Sequence, residues 1–476
     1  MKKLSLAFLV VLIAIVIGYL VAVLWMRDSD SDLVFDLDSL RSDSLRFGTD
    51  FLWGASTSAY QVEGNSTNCN WSRFETTTNS QGVPPIRHGD RCGLAADHWN
   101  RYKQDIQLLK EMHLNAFRFS VEWSKVEPEE GVFVDSVLDH YERVVDELRA
   151  NGIEPLVTLH HFTNPLWFEE KGGFERDDAP EILARYASRV AQRMGNKVRL
   201  WSTINEPNIY AIEGYYRGSF PPGVREPGRA VVVFRNLLRA HTACYQAIKK
   251  IRPDAQVGLL ASIFVFDPPQ PWNLLDVMLA HYLNKAFSVS MVDYLTTGIF
   301  DFSLPGVASG HYDAGVAGAF DFVGLNYYSR LFYHVEPFTE EKMVEVHHVP
   351  PEALTDKGWE IYPEGLYRAL HVISSRTEKP IYITENGIAD DSDLRRARFI
   401  EDHLRVANRA IRDGVNLKGY FYWSLIDNFE LVDGFDVRFG LYAVDYQTQQ
   451  RTLRKGSLNY REIIEQWERG NVGGAK

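Results

Sequence analysis

Cysteine is scarce: Cys69, Cys92 and Cys244 are the three cysteines in a chain of 476 residues. That number supports no disulfide framework, and no pair has zinc-finger spacing. Cys69 and Cys92 bracket one loop, so an oxidising compartment would permit a bond between them. Cys244, inside the helical run LLRAHTACYQAIKK, reads as packing. Positive charge is also short. Lys and Arg number 51 against 63 Asp and Glu, a net charge of −12, and no basic stripe interrupts the acidic excess. Such a surface repels a phosphate backbone, which argues against nucleic acid as a partner. There is no GxxxxGK[ST] phosphate loop and no HExxH zinc helix. The sequence calls for no cofactor and no metal.

Long apolar runs are absent too, with one exception. MKKLSLAFLVVLIAIVIGYLVAVLWMRDSDSD opens with Lys2 and Lys3 and then runs apolar from Leu4 to Met26, with Ser5 and Gly18 as weak breaks. Roughly 20 such residues span a bilayer as a helix. A cleaved signal has a core of only about 7–15 residues before a small-residue cleavage site. This core is longer and ends in Trp25, so residues 1–27 are expected to form a transmembrane anchor. The two leading lysines place the N-terminus in the cytoplasm, with Arg27 as a weaker opposing vote. The expectation is a single-pass membrane protein whose catalytic domain lies on the extracytoplasmic or luminal side. Six aspartates between Asp28 and Asp43 give residues 28–46 the look of a solvated acidic tether.

From residue 47 to about 470, short β-branched or aromatic runs alternate with amphipathic ones, the pattern of a parallel sheet built from βα units. Eight candidate strands cover 51–60, 116–123, 154–162, 198–206, 256–266, 320–328, 380–387 and 419–427. Between them lie helical stretches such as 137–152, 364–375 and 397–414, with apolar residues at helical spacing. An open doubly wound sheet would need a glycine-rich phosphate turn after its first strand, and none is present. Eight βα units in one body predict an α/β fold, a TIM (β/α)8 barrel, preceded by the transmembrane helix and the tether.

Catalytic groups of such a barrel sit at the carboxyl ends of its strands. Glu206, in TINEPN, ends the fourth strand, and Glu385, in YITENG, ends the seventh. Alone, each is as readily a structural cap or an ion pair. Together, two carboxylates facing one cleft suit glycosidic bond cleavage, and a separation of about 5–5.5 Å between them gives retention of configuration.

TINEPN, YITENG, DFVGLNYYSR and WSLIDNFE, in that order, resemble the family 1 glycoside hydrolases, the β-glucosidase family. The likeness runs from FGTDFLWGASTSAYQVEG to RKGSLNYREII. The resemblance implies that Glu206 is the acid/base and Glu385 the nucleophile. It implies further that Arg118 and Tyr328 neighbour the nucleophile, that Asn205 bonds the sugar 2-hydroxyl and that Asn326 supports the carboxylates. Gln61, His161 and Glu430 match hydroxyl ligands of the sugar, and Trp423 matches the aromatic floor. A carboxylate at 430 would repel a sugar 6-phosphate. Two positions depart from the pattern: Leu431 and Phe162 stand where the family usually has tryptophan, so two indole donors are lost on the 3-hydroxyl side.

The implied activity is that of a retaining, exo-acting β-glycosidase removing terminal non-reducing β-D-glycosyl units by double displacement. It is β-glucosidase-like, with β-galactosidase or β-fucosidase activity beside it, on a small-molecule or lipid-linked β-glycoside. A membrane-tethered transglycosylase acting on glycolipids is the alternative. A non-catalytic glycan-binding relative would lack one of the two glutamates, and both are here. Asn65 and Asn70 stand in N-x-[ST] sequons, which carry glycan only in a eukaryotic secretory pathway.

Overall fold

The computed structural model describes residues 2–42, 45–79, 81–336, 343–346 and 349–473. Asp43, the last of the six aspartates, lies outside the described residues. Eight parallel strands close into a barrel: β1 (Leu52–Ser56), β2 (Ala116–Ser120), β3 (Glu154–His160), β4 (Leu200–Asn205), β5 (Gln256–Ser262), β6 (Phe322–Asn326), β7 (Ile381–Asn386) and β8 (Leu417–Trp423). The neighbour order is β1-β8-β7-β6-β5-β4-β3-β2, so consecutive strands pair and β1 closes on β8. Each predicted strand is present, and the observed ends fall inside or within two residues of the expected ones.

The strands are buried on both faces, which is why they read as continuous apolar runs rather than as alternations. Ala116, Leu156, Leu200, Leu260, Phe322, Tyr382 and Phe421 fill the amino end of the barrel as one cluster. The space is tight. A Cβ at Gly324 would come within 2.1 Å of a Leu260 methyl carbon, so glycine at that point lets the leucine cross the axis. With the amino end plugged by side chains, the polar residues collect at the carboxyl end.

Helices surround the barrel, most of them amphipathic. In chain order they include α1 (Lys2–Met26), α2 (His98–Glu111), α3 (Asp135–Ala150), α4 (Ala179–Met194), α5 (Pro227–Ile251), α6 (Leu274–Leu283), α7 (Pro363–Ser374), α8 (Arg396–Arg412) and α9 (Leu458–Gly473). Helices α5 and α7 each begin with proline, where the missing N–H costs nothing. Further strands outside the barrel were not read from the sequence. A hairpin pairs Ile299–Leu304 with Ala308–Asp313. A small sheet joins Val265–Asp267, Arg330–Val335 and Met343–Glu345 outside the barrel.

One expectation is corrected, and one open question is answered. The segment after α1 is not a free solvated tether. Asp28 pairs with Arg368 of α7 at 2.9 Å, the Phe35 amide donates to Glu364 at 3.1 Å, and the Phe35 ring meets Tyr367 edge-on. Leu40 is buried, and the Asn408 side chain donates to the Arg46 carbonyl at 2.7 Å. These partners hold the segment against the barrel, while Asp28, Asp30, Asp32, Asp36 and Asp38 stay exposed. The Cys69–Cys92 bond is likewise not formed: all three cysteines are free and buried. The Cys92 thiol donates to the Tyr60 carbonyl at 3.0 Å, and the Cys69 thiol lies beside Ser66 and Ser72.

Helix α1 is long and apolar enough to cross a membrane over Phe8–Met26. Phe8, Ile15, Val21 and Leu24 are largely exposed, whereas Val23 is covered where α1 meets the barrel.

Candidate active site

The ten residues singled out by sequence all lie at the carboxyl end of the barrel, and all are buried. Arg118 projects from β2, Asn205 ends β4, Asn326 ends β6, Glu385 lies in β7 and Trp423 ends β8. His161 and Glu206 immediately follow β3 and β4. Gln61 sits in the one-turn helix Ala59–Glu63 after β1, Tyr328 follows β6 by two residues, and Glu430 occupies the loop after β8. Glu206 has φ 45°, in the left-handed region that a side chain enters at a cost. Pro207 starts a short helix directly behind it, and the strand-to-helix reversal turns the carboxyl into the cleft. Gly387, next to Asn386, is held by close approach: a Cβ there would stand 1.8 Å from the Trp423 carbonyl oxygen.

Arg118 organises the cluster. It is fully buried, and its guanidinium donates to Glu385 Oε1 through Nη1, to Asn205 Oδ1 through Nη2 at 2.7 Å and to Thr158 through Nε at 3.1 Å. Tyr328 donates to the other oxygen of Glu385, Oε2, at 2.7 Å. Both oxygens of Glu385 therefore accept a bond, one of them from a cation. Glu206 has a different environment. Asn326 Nδ2 donates to Glu206 Oε1 at 2.9 Å and to Asn205 Oδ1 at 3.1 Å, and Thr384 fixes the asparagine by donating to its Oδ1 at 2.7 Å. Burial, joined by the negative charge of Glu385, pushes the Glu206 carboxyl up to about 8. Bonds from Asn326 and Ser262 and the Arg118 charge oppose that rise. Arg118, Asn205 and Asn326 thus bridge two carboxyls, of which burial keeps Glu206 protonated at neutral pH.

The remaining residues form a second wall. His161 accepts from Arg118 at Nδ1 (3.2 Å), and burial with the adjacent arginine charge pushes its imidazole well below the usual range. The neutral ring then carries its proton on Nε2, which stands 3.4 Å from Asn205 Nδ2. The His161 ring stacks against Trp423 with centroids 5.9 Å apart and planes 16° from parallel. Trp423 Nε1 donates to Glu430 Oε1 at 3.2 Å. Gln61 is tied in on both sides: Ser58 donates to its Oε1 at 2.6 Å, and its Nε2 donates to Asn428 at 2.9 Å. Burial raises the Glu430 carboxyl to about 8, against the opposing charge of Lys357. At neutral pH it is a donor as well as an acceptor, rather than the fixed negative charge expected from sequence.

Sequence reasoning missed Thr158, Thr384, Ser262 and Asn428, the small polar groups that hold the larger ones. Their signal is positional: Thr384 adjoins Glu385, and Thr158 and Ser262 lie in β3 and β5 near their carboxyl ends. Trp359, whose ring lies 5.2 Å from that of Tyr328, was missed as well. Leu431 and Phe162, the two departures, both adopt positive φ, 53° and 66°. Phe162 is buried against His161 and Phe220.

The model of glycosyl hydrolase family 1 matches residues 43–469. Beta-glucosidase A of Thermotoga maritima is 33% identical over 440 residues, covering 88% of this chain and 98% of that protein. A solved β-glycosidase from Pyrococcus horikoshii superposes with a TM-score of 0.79 at 37% identity, covering 88% of this chain and 95% of the other. The β-glucosidase of Thermotoga maritima solved in complex with glucoimidazole gives a TM-score of 0.80 at 31% identity, over 88% and 99% of the two chains.

Proposed function

We propose, from the fact that the chain belongs to glycosyl hydrolase family 1 and is a retaining glycoside hydrolase of the β-glucosidase type, that Glu385 is its nucleophile and Glu206 its acid/base. The protein acts from the non-reducing end on terminal β-D-glucosyl units, with β-galactosyl and β-fucosyl units as further substrates. Glu385 attacks the anomeric carbon while Glu206 passes its proton to the glycosidic oxygen. The carbon–oxygen bond to the aglycone breaks and a glycosyl ester with Glu385 forms. The Glu206 carboxylate then takes a proton from water, the resulting oxygen attacks the anomeric carbon, and the ester opens with net retention.

Each support follows from a contact. Arg118 and Tyr328 donate to the two oxygens of Glu385 and orient it. Asn326 sets Glu206, and Asn205 is placed beside both to meet the sugar 2-hydroxyl. Gln61, His161 and Glu430 bind the other hydroxyls over the face of Trp423. All four are buried, which suits a pocket for one terminal sugar better than an open groove. The observation that carries the reading is the unequal treatment of the two carboxyls: one doubly hydrogen-bonded with a cation, the other raised to about 8.

Residues 1–27 serve as a membrane anchor, and the barrel, residues 47–470, works on the side opposite the leading lysines. The substrate is a small or lipid-linked β-glycoside. No observation favours transfer to a sugar acceptor over hydrolysis. The test is a 2-deoxy-2-fluoro-β-glucoside bearing a good leaving group, followed by peptide mapping. The mass increment is expected on the peptide containing Glu385; an increment on any other carboxyl overturns the assignment.

A further inference from the structure

We propose that the loop 268–275 after the fifth strand, with the start of α6, is a membrane-contact surface that dips into the interface of the bilayer α1 crosses. This rests on reading α1 as a membrane anchor. The sequence PPQPWNLL carries no charge between Asp267 and Asp276. Both aspartates are buried and paired, Asp267 with Arg368 and Asp276 with His334. What the loop presents outward is uncharged and mostly apolar: Trp272 is 54% and Leu275 48% exposed, with Pro271 and the polar Gln270 exposed beside them.

The position relative to α1 sets the depth. Tyr19 of α1 donates to the Trp272 carbonyl and accepts from the Leu274 amide at 3.2 Å. Six residues further along α1, Trp25 faces His281 of α6 with ring centroids 6.1 Å apart. The Arg27 guanidinium stands 5.8 Å from the Trp272 ring centroid. Helix α6 therefore runs alongside the last turns of α1 in the same direction, and its leading tip meets α1 at Tyr19. Seven residues separate Tyr19 from Met26, about 10 Å at 1.5 Å per residue. The apolar stretch Phe8–Met26 is about as long as the hydrocarbon layer, about 30 Å. Placing that stretch in the membrane leaves Met26 at the boundary, the tip's contact with Tyr19 about 10 Å inside it, and the Trp272 ring, beside Arg27, close to the boundary, where indole and tyrosine rings are favoured.

The contacts of Asp28 and Phe35 with α7 hold α1 against the barrel, so the surface is presented in a fixed orientation. The loop leaves the carboxyl end of β5, the end where Glu206 and Glu385 lie. The cleft mouth accordingly faces the bilayer side, and glycosides with a lipid aglycone are the substrate class this geometry serves.

The test uses the full chain in vesicles of phosphatidylcholine with a minor share of phosphatidylglycerol. A polarity-sensitive fluorophore is attached at W272C and, as a control at the amino end of the barrel, at D50C; the three native thiols are buried. Hydrolysis of a soluble aryl β-glucoside verifies that each variant folds. The label at 272 is expected to shift to shorter wavelength and to lose its emission to nitroxide-bearing lipids, with the label at 50 unaffected. A shifted label at 272 that ignores lipid nitroxides signals a second protein copy and overturns the bilayer as occupant. A water-like label at 272 on a chain that floats with the vesicles overturns this surface while the anchor stands. A chain that does not float overturns both.

Discussion

Replacing Asn326 by alanine removes a hydrogen bond that stabilises the ionised form of Glu206 more than the acid. The donor lies 2.9 Å from Glu206 Oε1 inside a buried cluster, and it is among the groups that hold down a carboxyl already raised to about 8. A hydrogen bond to a charged group is worth about 1.5–3 kcal/mol. At 1.36 kcal/mol per pH unit its loss moves the group up by about 1–2 units. The acid form then persists to higher pH, and the alkaline limb of kcat/KM moves from near 8 to about 9–10. The assay is hydrolysis of an unactivated alkyl β-glucoside, which needs protonation of its leaving oxygen, between pH 5 and 10. Asn326 also positions Asn205, so the rate falls throughout; the position of the limb, not its height, carries the prediction. A limb that stays at 8 or moves downward refutes the claim that Glu206 supplies the proton under the control of Asn326.

Two further outcomes follow from the same contacts. Glu206 and Glu430 are both raised to about 8, so between the ordinary carboxylate range and 8 the folded chain holds protons that the unfolded chain has released. Stability contributed by each is fully present at low pH and declines as pH rises through that window. E430Q removes one such proton and is expected to flatten the dependence of Tm on pH between 5 and 8; an unchanged slope in calorimetry contradicts it. Arg368 is buried and reaches both oxygens of Asp267, at 2.7 and 2.8 Å, as well as Asp28. R368A leaves a buried carboxylate with one weaker partner, Arg330 at 3.5 Å, and is expected to cost about 3–5 kcal/mol. D28A, at a half-exposed end of the same pair, is expected to cost less than about 1 kcal/mol. Equal losses in thermal unfolding would contradict the ranking.

The barrel was legible because buried parallel strands write continuous apolar runs into the sequence, and the cleft was legible because barrel chemistry sits where those runs end. Glu206 and Glu385 could be paired on that ground before any resemblance was considered. The limits of legibility are long-range. QVGLLASIFVF reads as one strand, yet it splits at Ile263 and Phe264: its first part closes the barrel and its second joins a separate sheet through Arg330–Val335. Apart from Gln256 and Ser262 the run is apolar, and nothing in its pattern marks that split. The acidic stretch after α1 reads as hydrated because its partners, Arg368, Glu364 and Asn408, lie more than 300 residues away. Thr158, Thr384 and Ser262 escaped notice for a related reason: a hydroxyl earns its role from the group it touches, and threonine or serine in a strand is unremarkable by itself.

Removing the nucleophile and supplying another tests the central claim most directly. E385A is expected to lose turnover of an aryl β-glucoside and to regain it with azide, which enters the face left open and yields the α-glycosyl azide. Full activity without azide, or a β-configured azide product, would contradict an account in which Glu385 attacks the anomeric carbon while Glu206 serves the opposite side.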